Sequence, residues 1–476
     1  MEINPRTALS YSFPADTSSS GRSRSTAFGH TAALEELQAR GCSLATKVWV
    51  ENHWSLVLWK LAGMVALDPK SELDPGRRRW CWSEVMRQLL YRYERDLNGS
   101  TRPPLRLIVT RDASVESPMV LCISNITWPN GEANENGRPA ALHPELEVTD
   151  GWYRIRARVD QPLARATRKG FLRIGRKIAV AAAKLSSQRK EGSEILEAYD
   201  STTLVITGNS SHMAPWHAKL GFQKTPFIAT LNSLTPDGGN VAAMVVEIIK
   251  AYPVAYIEFV EDEHGRKRRD GPRDEKEETE LHSRWQRRRE LEAAKLWAIY
   301  EKRWSTMCSY AERLEERARL LTNTLEPPDN IHDLYDALKE DPVMAKKILS
   351  STSPQDAGWL VRHIRDRTVQ EREEAEREIE RELEDLCPVR EVKDFCVLVV
   401  KDAHTSRRPS NRTAQITVWD VVSLTTCEDS MKGFEVGQRY LVTNLIPTQP
   451  SAWMGGSPGS VVYLQTKRNS RWTLIP

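Results

Sequence analysis

Residues 297–325 read WAIYEKRWSTMCSYAERLEERARLLTNTL. In this run Trp297, Tyr300, Trp304, Met307, Ala311, Leu314, Ala318, Leu321 and Leu325 recur at alternating intervals of three and four. An apolar period of 3.5 marks a helix with a coiled-coil seam, because only every third or fourth side chain returns to the same face. No Gly or Pro interrupts residues 274–325. Some fifty helical residues make a rod of roughly 75 Å. Pro327-Pro328 ends it. Residues 331–350 then read as two short helices broken near Pro342, and a return helix covers about 355–386. Its seam (Ala375, Ile379, Leu383, Leu386) is weaker, Glu373–Arg377 adds an i,i+4 pair, and Cys387-Pro388 stops it.

Outward from this hairpin the chain is β-rich. Tyr256–Val260 precedes it, and Phe395–Lys401, Ala414–Trp419, Tyr440–Leu445 and Ser460–Thr466 follow, with a short helical stretch near 421–431. The simplest topology inserts the hairpin between two strands of one small barrel. Upstream, Met119–Ile126, Trp152–Val159, Phe171–Ala181, Thr203–Gly208 and Val241–Ile249 alternate as strands, with turn signals at Pro129-Asn130-Gly131, Asp150-Gly151 and Asp237-Gly238-Gly239. Five strands in so short a span suggest a barrel or a sandwich. An internal repeat favours two barrels. Leu172-Arg173-Ile174-Gly175-Arg176-Lys177-Ile178 and Phe434-Glu435-Val436-Gly437-Gln438-Arg439-Tyr440 share one pattern of apolar, charged and glycine positions.

Further upstream the pattern is helical: 31–40, stopped at Gly41; 47–66, with Val50, Trp54, Val57, Leu58, Leu61, Met64 and Val65 on one face; and 82–97, opened by Ser83 and closed by Asn98-Gly99. Residues 1–30, rich in Ser, Thr, Gly and Arg, read as disordered. The fold class is therefore multidomain α+β. A helical domain at 31–117 precedes a first barrel at 118–253 and a second at 254–476, interrupted by the hairpin at 270–388.

The 476 residues suit several domains, and no run of 18 apolar residues exists to cross a membrane. The N-terminus lacks the pattern of a secretory signal. Seven cysteines without a CxxC argue against disulfides or a zinc ribbon and for a reducing compartment, cytosol or nucleus. The net charge of +3 hides an asymmetry: residues 261–387 carry 25 Lys/Arg against 32 Asp/Glu, leaving the rest at +10. A modestly basic body suits a polyanion or an acidic partner. No phosphate loop, nucleophile elbow, HExxH or dinucleotide fingerprint occurs, and His212 and His217 are poorly spaced for a metal, so no enzyme, cofactor or metal is expected.

Five segments in order resemble the C-terminal DNA-binding region of the breast cancer type 2 susceptibility protein family. They are Trp49–Trp54 continued by Leu58–Ala62, Leu89–Tyr93 with Val120–Ser124, Glu147–Tyr153, Trp216–Phe222, and Ser233–Asn240 leading to Ala251-Tyr252-Pro253. The resemblance implies a helical domain, a first OB fold, and a second OB fold carrying a helical tower. It implies single-stranded DNA binding, and a small acidic partner, the deletion-of-split-hand/split-foot (proteasome lid) protein. It also implies loading of a RecA-like recombinase in homologous recombination and double-strand break repair, in the nucleus. In that family the DNA site spans the second and third OB folds, and these residues reach through the second. The recombinase-binding Phe-x-x-Ala core has only Phe28-Gly29-His30-Thr31-Ala32 near it, one residue too long. The tower tip shows two short helices where the family has a three-helix bundle.

Single strands bind where bases stack on aromatics beside a basic groove. On the second fold the stacking candidates are Phe395, Trp419, Tyr440, Tyr463 and Trp472, each of which reads equally well as core packing, since sequence does not fix strand parity. The phosphate candidates are Arg407, Arg408, Arg412, Arg439, Lys467, Arg468 and Arg471. For the acidic partner they are Trp54, Trp59, Lys60, Arg92 and Arg95, then Asp150, Trp152, Arg154, Arg156, Arg158 and Trp216; the three alternating arginines share one strand face. Arg266–Arg269 reads either as a nuclear localisation signal or as the charged foot of the hairpin.

Overall fold

Residues 47–66 form the apolar centre of the N-terminal region. The computed structural model describes residues 3–14, 27–99, 101–128, 143–261, 266–318, 330–340, 342–403, 412–422, 433–453 and 459–475. Its first helices are α1 (His30–Ala39), α2 (Lys47–Leu67), α3 (Trp82–Tyr93) and α4 (Pro104–Val109). Thr46 starts α2 by accepting from the Trp49 backbone N–H at 3.2 Å. The spacing predicts one buried face. Instead, every residue from Trp49 to Leu58 except Glu51 is buried, including Asn52, His53 and Ser55. Of the polar side chains among them, Asn52 donates to Trp152 O and Ser55 to Glu51 O, each at 2.8 Å, and His53 meets buried Arg92.

The expected disorder of residues 1–30 is corrected where the chain is described. Phe13 and Phe28 exchange backbone hydrogen bonds of 2.9 and 2.8 Å. The Phe13 ring, 6% exposed, packs on Trp54, Trp80 and Trp82. Three aromatics, Tyr11, Phe13 and Phe28, give an otherwise polar segment enough apolar surface to stay docked.

The first sheet contains β1 (Met119–Thr127), β2 (Glu145–Thr149), β3 (Arg154–Val159), β4 (Lys177–Val180), β5 (Lys184–Ser187), β6 (Thr202–Ile206), β7 (Ser211–Met213) and β8 (Gly221–Phe222). Short helices α5 (Gln161–Arg168) and α6 (Ile195–Ala198) interrupt it. β1 pairs antiparallel with β2 and β4, β2 with β3, and β5 with β6; β3 and β6 are parallel. β4 and β5 act as halves of one strand, bent where Ala182 takes a positive φ of 50°. The circuit β1-β2-β3-β6-β5/β4-β1 is a five-stranded closed order, that of an OB fold. Strand alternation fills its core with Leu121, Ile123, Leu146, Val148, Ile155, Ile178, Leu204 and Ile206.

The chain divides into two compact units, 1–253 with 396–476, and 254–395. The first unit also holds β9 (Val241–Ala251). The second begins with β10 (Ala255–Glu261), β11 (Lys267–Arg273) and α7 (Glu275–Ala318). Next come α8 (Ile331–Glu340), α9 (Pro342–Ser351) and α10 (Pro354–Leu386), then β12 (Glu391–Asp402), β13 (Thr413–Trp419), β14 (Arg439–Pro447), β15 (Val461–Gln465) and β16 (Arg471–Ile475). In the first unit, β12 from Leu398 pairs with β9, β9 with β14, and β14 with β15; β15 runs parallel to β13, which neighbours β12. The circuit β9-β12-β13-β15-β14-β9 repeats the order of the first barrel.

The internal repeat is one turn used twice. Gly175 and Gly437 have φ of 83° and 89°. Gly175 N–H donates to Ile123 O and Gly437 N–H to Ile248 O, both at 2.8 Å. The same strand residue then donates back, Ile123 to Arg176 O and Ile248 to Gln438 O. Each turn ties the fourth strand of its barrel to the first. The expected strand at 171–181 is accordingly shorter, since this turn occupies residues before Lys177.

In the second unit α7 runs 44 residues, about 66 Å, and packs against α10. Trp304, Met307, Ala311 and Leu314 are buried as the seam predicts; Leu321 and Leu325 lie outside the described residues. The expected break near Pro342 separates α8 from α9. The tip has its own core, with Tyr335, Leu338, Ala345 and Ile348 packed on Leu314, Leu360 and Ile364. The two expected short helices are present, and they share this core with the ends of α7 and α10. At the other end Glu258 accepts from Arg390 at 2.8 and 2.9 Å and from Arg273 at 2.7 Å, which holds its carboxyl down at about 2.

Candidate nucleic-acid and partner interfaces

The helical region meets the first barrel through a buried polar cluster. Asp96 accepts from Trp49 Nε1 at 3.2 Å, from Arg106 Nη1 at 3.0 Å and from the Tyr153 hydroxyl. Arg92 Nη1 donates to His53 Nδ1 at 2.8 Å, which leaves the proton on Nε2, 3.9 Å from Asp96. Burial first, then Arg92, Arg106 and Arg154, push the His53 pKa well down, so the ring is neutral. Burial also lowers the Arg92 pKa to about 10, against the pull of Asp150. Asp150 Oδ2 accepts from the Leu105 backbone N–H, and Oδ1 from those of Trp152 and Tyr153, each at 2.9 Å. This carboxylate caps the start of α4 and shapes the turn at once. Burial raises its pKa in spite of these bonds.

Three of the residues expected to meet an acidic partner are thus corrected. Trp54 is 0% exposed, Arg92 7% and Asp150 4%. Trp54 packs on Phe13 and Trp82 within the helical region, while Arg92 and Asp150 join the two regions, because buried charges persist only where they find partners. Around them the surface is partly open. Trp152 is half-buried under the Arg92 guanidinium, 5.1 Å from its ring centroid. Exposed Arg95 lies over Tyr91 and donates to its hydroxyl at 2.8 Å. Trp59 is half-buried, and exposed Lys60 reaches Gln88 at 3.4 Å. Arg154, Arg156 and Arg158 do share a face, but the first two are engaged. Arg154 contacts Asn52 and Glu147, and Arg156 bonds the carbonyls of Tyr199 and Asp200 and pairs with Glu145. Arg158 is exposed. Trp216 is 76% exposed, edge-on to His217.

The second barrel separates its aromatics by strand parity. Tyr440 and Trp472 are 1% and 4% exposed and pack with Phe434 inside the barrel, at centroid distances of 5.0 to 5.7 Å. No base reaches them there. Arg412, 5% exposed, bonds Ser460 Oγ at 2.8 Å and Leu231 O at 3.0 Å. It fastens the segment between the barrels and is no phosphate grip. Arg407 and Arg408 lie outside the described residues. Arg439 is exposed but pairs with Glu247. Phe395 is half-buried on β12, opposite Ala255.

The remaining candidates come together. In the parallel pair, Gln415 stands opposite Tyr463 and Thr417 opposite Gln465. Trp419 closes β13, and its N–H donates to Thr466 Oγ1, just past the end of β15, at 2.9 Å. Tyr463 on β15 and Trp419 at the end of β13 take the half-buried positions that alternate with buried ones, Lys467 after β15 is half-buried too, and Arg468 and Arg471 are exposed. Partial burial lowers the Lys467 pKa, with Lys184 of β5 adding to the shift. The sequence reading missed the His53, Asp96 and Tyr153 cluster. A histidine inside the apolar run Val48–Leu58 was its one signal. Among the described residues no group of His, Cys, Asp and Glu is placed to hold a metal.

Residues 103–224 match the family model "BRCA2, oligonucleotide/oligosaccharide-binding, domain 1". That span contains the first barrel together with α4. The chain is 32% identical over 246 residues to Protein BREAST CANCER SUSCEPTIBILITY 2 homolog B of Arabidopsis thaliana, and equally to homolog A. These alignments cover 50% of this chain and 21% of each relative, so the chain spans about a fifth of their length. A replication protein A heterotrimer bound to ssDNA aligns over 75% of this chain and 48% of its own, at 9% identity and a TM-score of 0.19, too low to carry an argument. The resemblance read from five short segments is thereby borne out: over half its length the chain is similar to BRCA2-family proteins, and residues 103–224 are similar to the first OB domain of that family.

Proposed function

We propose that this chain is a single-stranded DNA-binding and partner-docking region of a homologous-recombination mediator. It works by binding, without a catalytic step or a cofactor. The observation that carries the reading is the half-buried state of Tyr463, Trp419 and Lys467 together with the exposure of Arg468 and Arg471, all on β13, β15, β16 or the turn between the last two. Aromatic faces beside cations are what successive bases and phosphates require. The second barrel is then the DNA-binding OB fold, and the helical hairpin corresponds to the family's tower. The helical region and first OB fold present Trp152, Arg95, Arg158 and Trp216 to a small acidic protein of the deletion-of-split-hand/split-foot type. In this reading the chain acts in the nucleus during double-strand break repair and helps load a RecA-like recombinase, which other parts of a longer protein would contact.

The burial of Tyr440, Trp472 and Arg412 favours a second reading, a protein-interaction scaffold with little DNA binding of its own. Fluorescence anisotropy with labelled oligo-dT across a salt series separates the two. Replacing Lys467, Arg468 and Arg471 by Ala should weaken binding and flatten the salt slope by about one unit per lost phosphate contact. Absence of binding at low salt by the folded, partner-bound chain would leave the scaffold reading standing.

A further inference from the structure

The β-hairpin end of the second unit holds a groove that the DNA-binding reading does not use. It is a cavity of about 790 Å³ between β10, the early turns of α7 and residues 386–391. Its apolar lining includes Phe259, Leu281, Trp285 and Val389. Val389 is 66% exposed and Leu386 49%, an unusual amount of aliphatic surface to leave in water side by side. Trp285 is fixed from behind, its Nε1 donating to Pro388 O at 3.0 Å.

The charges around this floor are unbalanced in a definite direction. Glu258 and Glu278 are consumed by Arg390 and Arg273, and Glu391 by Lys267 and Lys393. Arg269, over the Phe259 ring at 5.9 Å, and Arg288, on the rim, are exposed and have no carboxylate partner among the described residues. Glu261 alone in the lining offsets them. The stretch 261–387 is acidic as a whole, so free arginines concentrated at an apolar groove are a local reversal of its charge.

We propose that this groove docks an acidic peptide segment, which inserts a large apolar side chain against Trp285 and Val389 while its carboxylates meet Arg269 and Arg288. A nucleic acid strand fits less well, because the aromatic rings are already attended. Arg269 and Lys393 lie over Phe259, and Arg289 lies over Trp285 at 5.6 Å. The rest of the floor is aliphatic and offers no base a stacking surface. An extended acidic segment gains on both counts, since guanidiniums pair strongly with carboxylates and the exposed valine and leucine become covered.

The test is a selection of displayed random twelve-residue peptides on the whole chain, with counter-selection on the double variant R269E/R288E. The expected winners carry several Asp or Glu around one large apolar residue. Synthetic copies should lose at least tenfold in affinity on R269E/R288E, and a similar factor on V389D, with circular dichroism and oligo-dT affinity unchanged. Peptides whose apolar residue is replaced by Ser should fail to bind. Selection of no peptide sensitive to these residues overturns the proposal. So does displacement of the selected peptide by oligo-dT from the wild-type chain in proportion to DNA bound, which would make the groove a nucleic-acid surface.

Discussion

The two barrels share strand order and even the hydrogen bonds of one turn, yet they spend their polar groups differently. The first turns Arg154, Arg156 and Asp150 inward on the protein. Arg154 and Arg156 bond Asn52 and two carbonyls, and Asp150 gives both its oxygens to backbone amides. The second leaves Arg468 and Arg471 in solvent and Tyr463 and Trp419 half-open. One topology can therefore be a bracket or, in the proposed reading, a binding surface. What decides is the number of donors left over once the protein has satisfied itself.

The strongest way to break that contrast is at the bracket. Asp96→Ala removes the acceptor shared by Trp49, Tyr153 and Arg106. An uncompensated buried partner costs about 3–5 kcal/mol. Urea unfolding should show a loss of that size, with the first barrel and the helical region melting ahead of the second barrel. A loss under about 1 kcal/mol, the worth of a surface pair, would mean that the cluster is decorative and the barrels are alike after all.

At the other barrel the expected loss is in binding and not in folding. Trp419→Ala should weaken oligo-dT by about 1–3 kcal/mol, the worth of one stacked base. Trp216→Ala, which removes a more exposed indole from the first barrel, should leave DNA affinity within about twofold, since surface changes away from a site are worth a few tenths of a kcal/mol. Equal losses in the two variants would merge the barrels into one DNA surface.

Much of this architecture was legible before any coordinates. The hairpin, its break at Pro342 and the repeated turn rest on local patterns, which a single sequence displays. The strand that opens the second barrel is instead β9, expected in the first barrel, and not Tyr256–Val260. The misses have physical causes. β2 is five residues long and alternates only Leu146 and Val148 with Glu145 and Glu147, too short a run to stand out, although Glu147 is buried and bonded to Ser124. α4 and α5 are short and have Pro in their first turns. The candidate site was only partly legible. Whether Tyr440 or Tyr463 faces solvent depends on strand parity across the barrel, a long-range property that no window of sequence contains.

Acid sharpens the contrast next. His53 is neutral in the fold, while in the unfolded chain it gains a proton as the pH falls through its ordinary 6.5. The unfolded state then binds more protons, so stability contributed above that pH is lost as the pH drops further. Asp150, whose pKa is raised, acts with the opposite sign, but only lower, in the carboxylate range. Among the described residues the second barrel has no histidine. Native-state hydrogen exchange at pH 7 and pH 5.5, corrected for intrinsic rates, should show protection falling in α2 and β1 and holding in β9 and β14. A uniform change across both would remove His53 as the cause.

The smallest effect probes what the barrels have in common. Gly175 and Gly437 sit in the left-handed region with nothing within 4 Å of where a Cβ would stand. Alanine there meets no neighbour, so its cost is the backbone's alone, about 1–2 kcal/mol. Because both glycines donate to the first strand of their own barrel at the same 2.8 Å, Gly175→Ala and Gly437→Ala should destabilise their barrels equally, to within about 0.5 kcal/mol. A larger penalty in the first barrel would mean that its turn also bears strain from the helical region docked on it. The bracket would then reach beyond its buried cluster into the fold itself, and the two barrels would differ even where their sequences repeat.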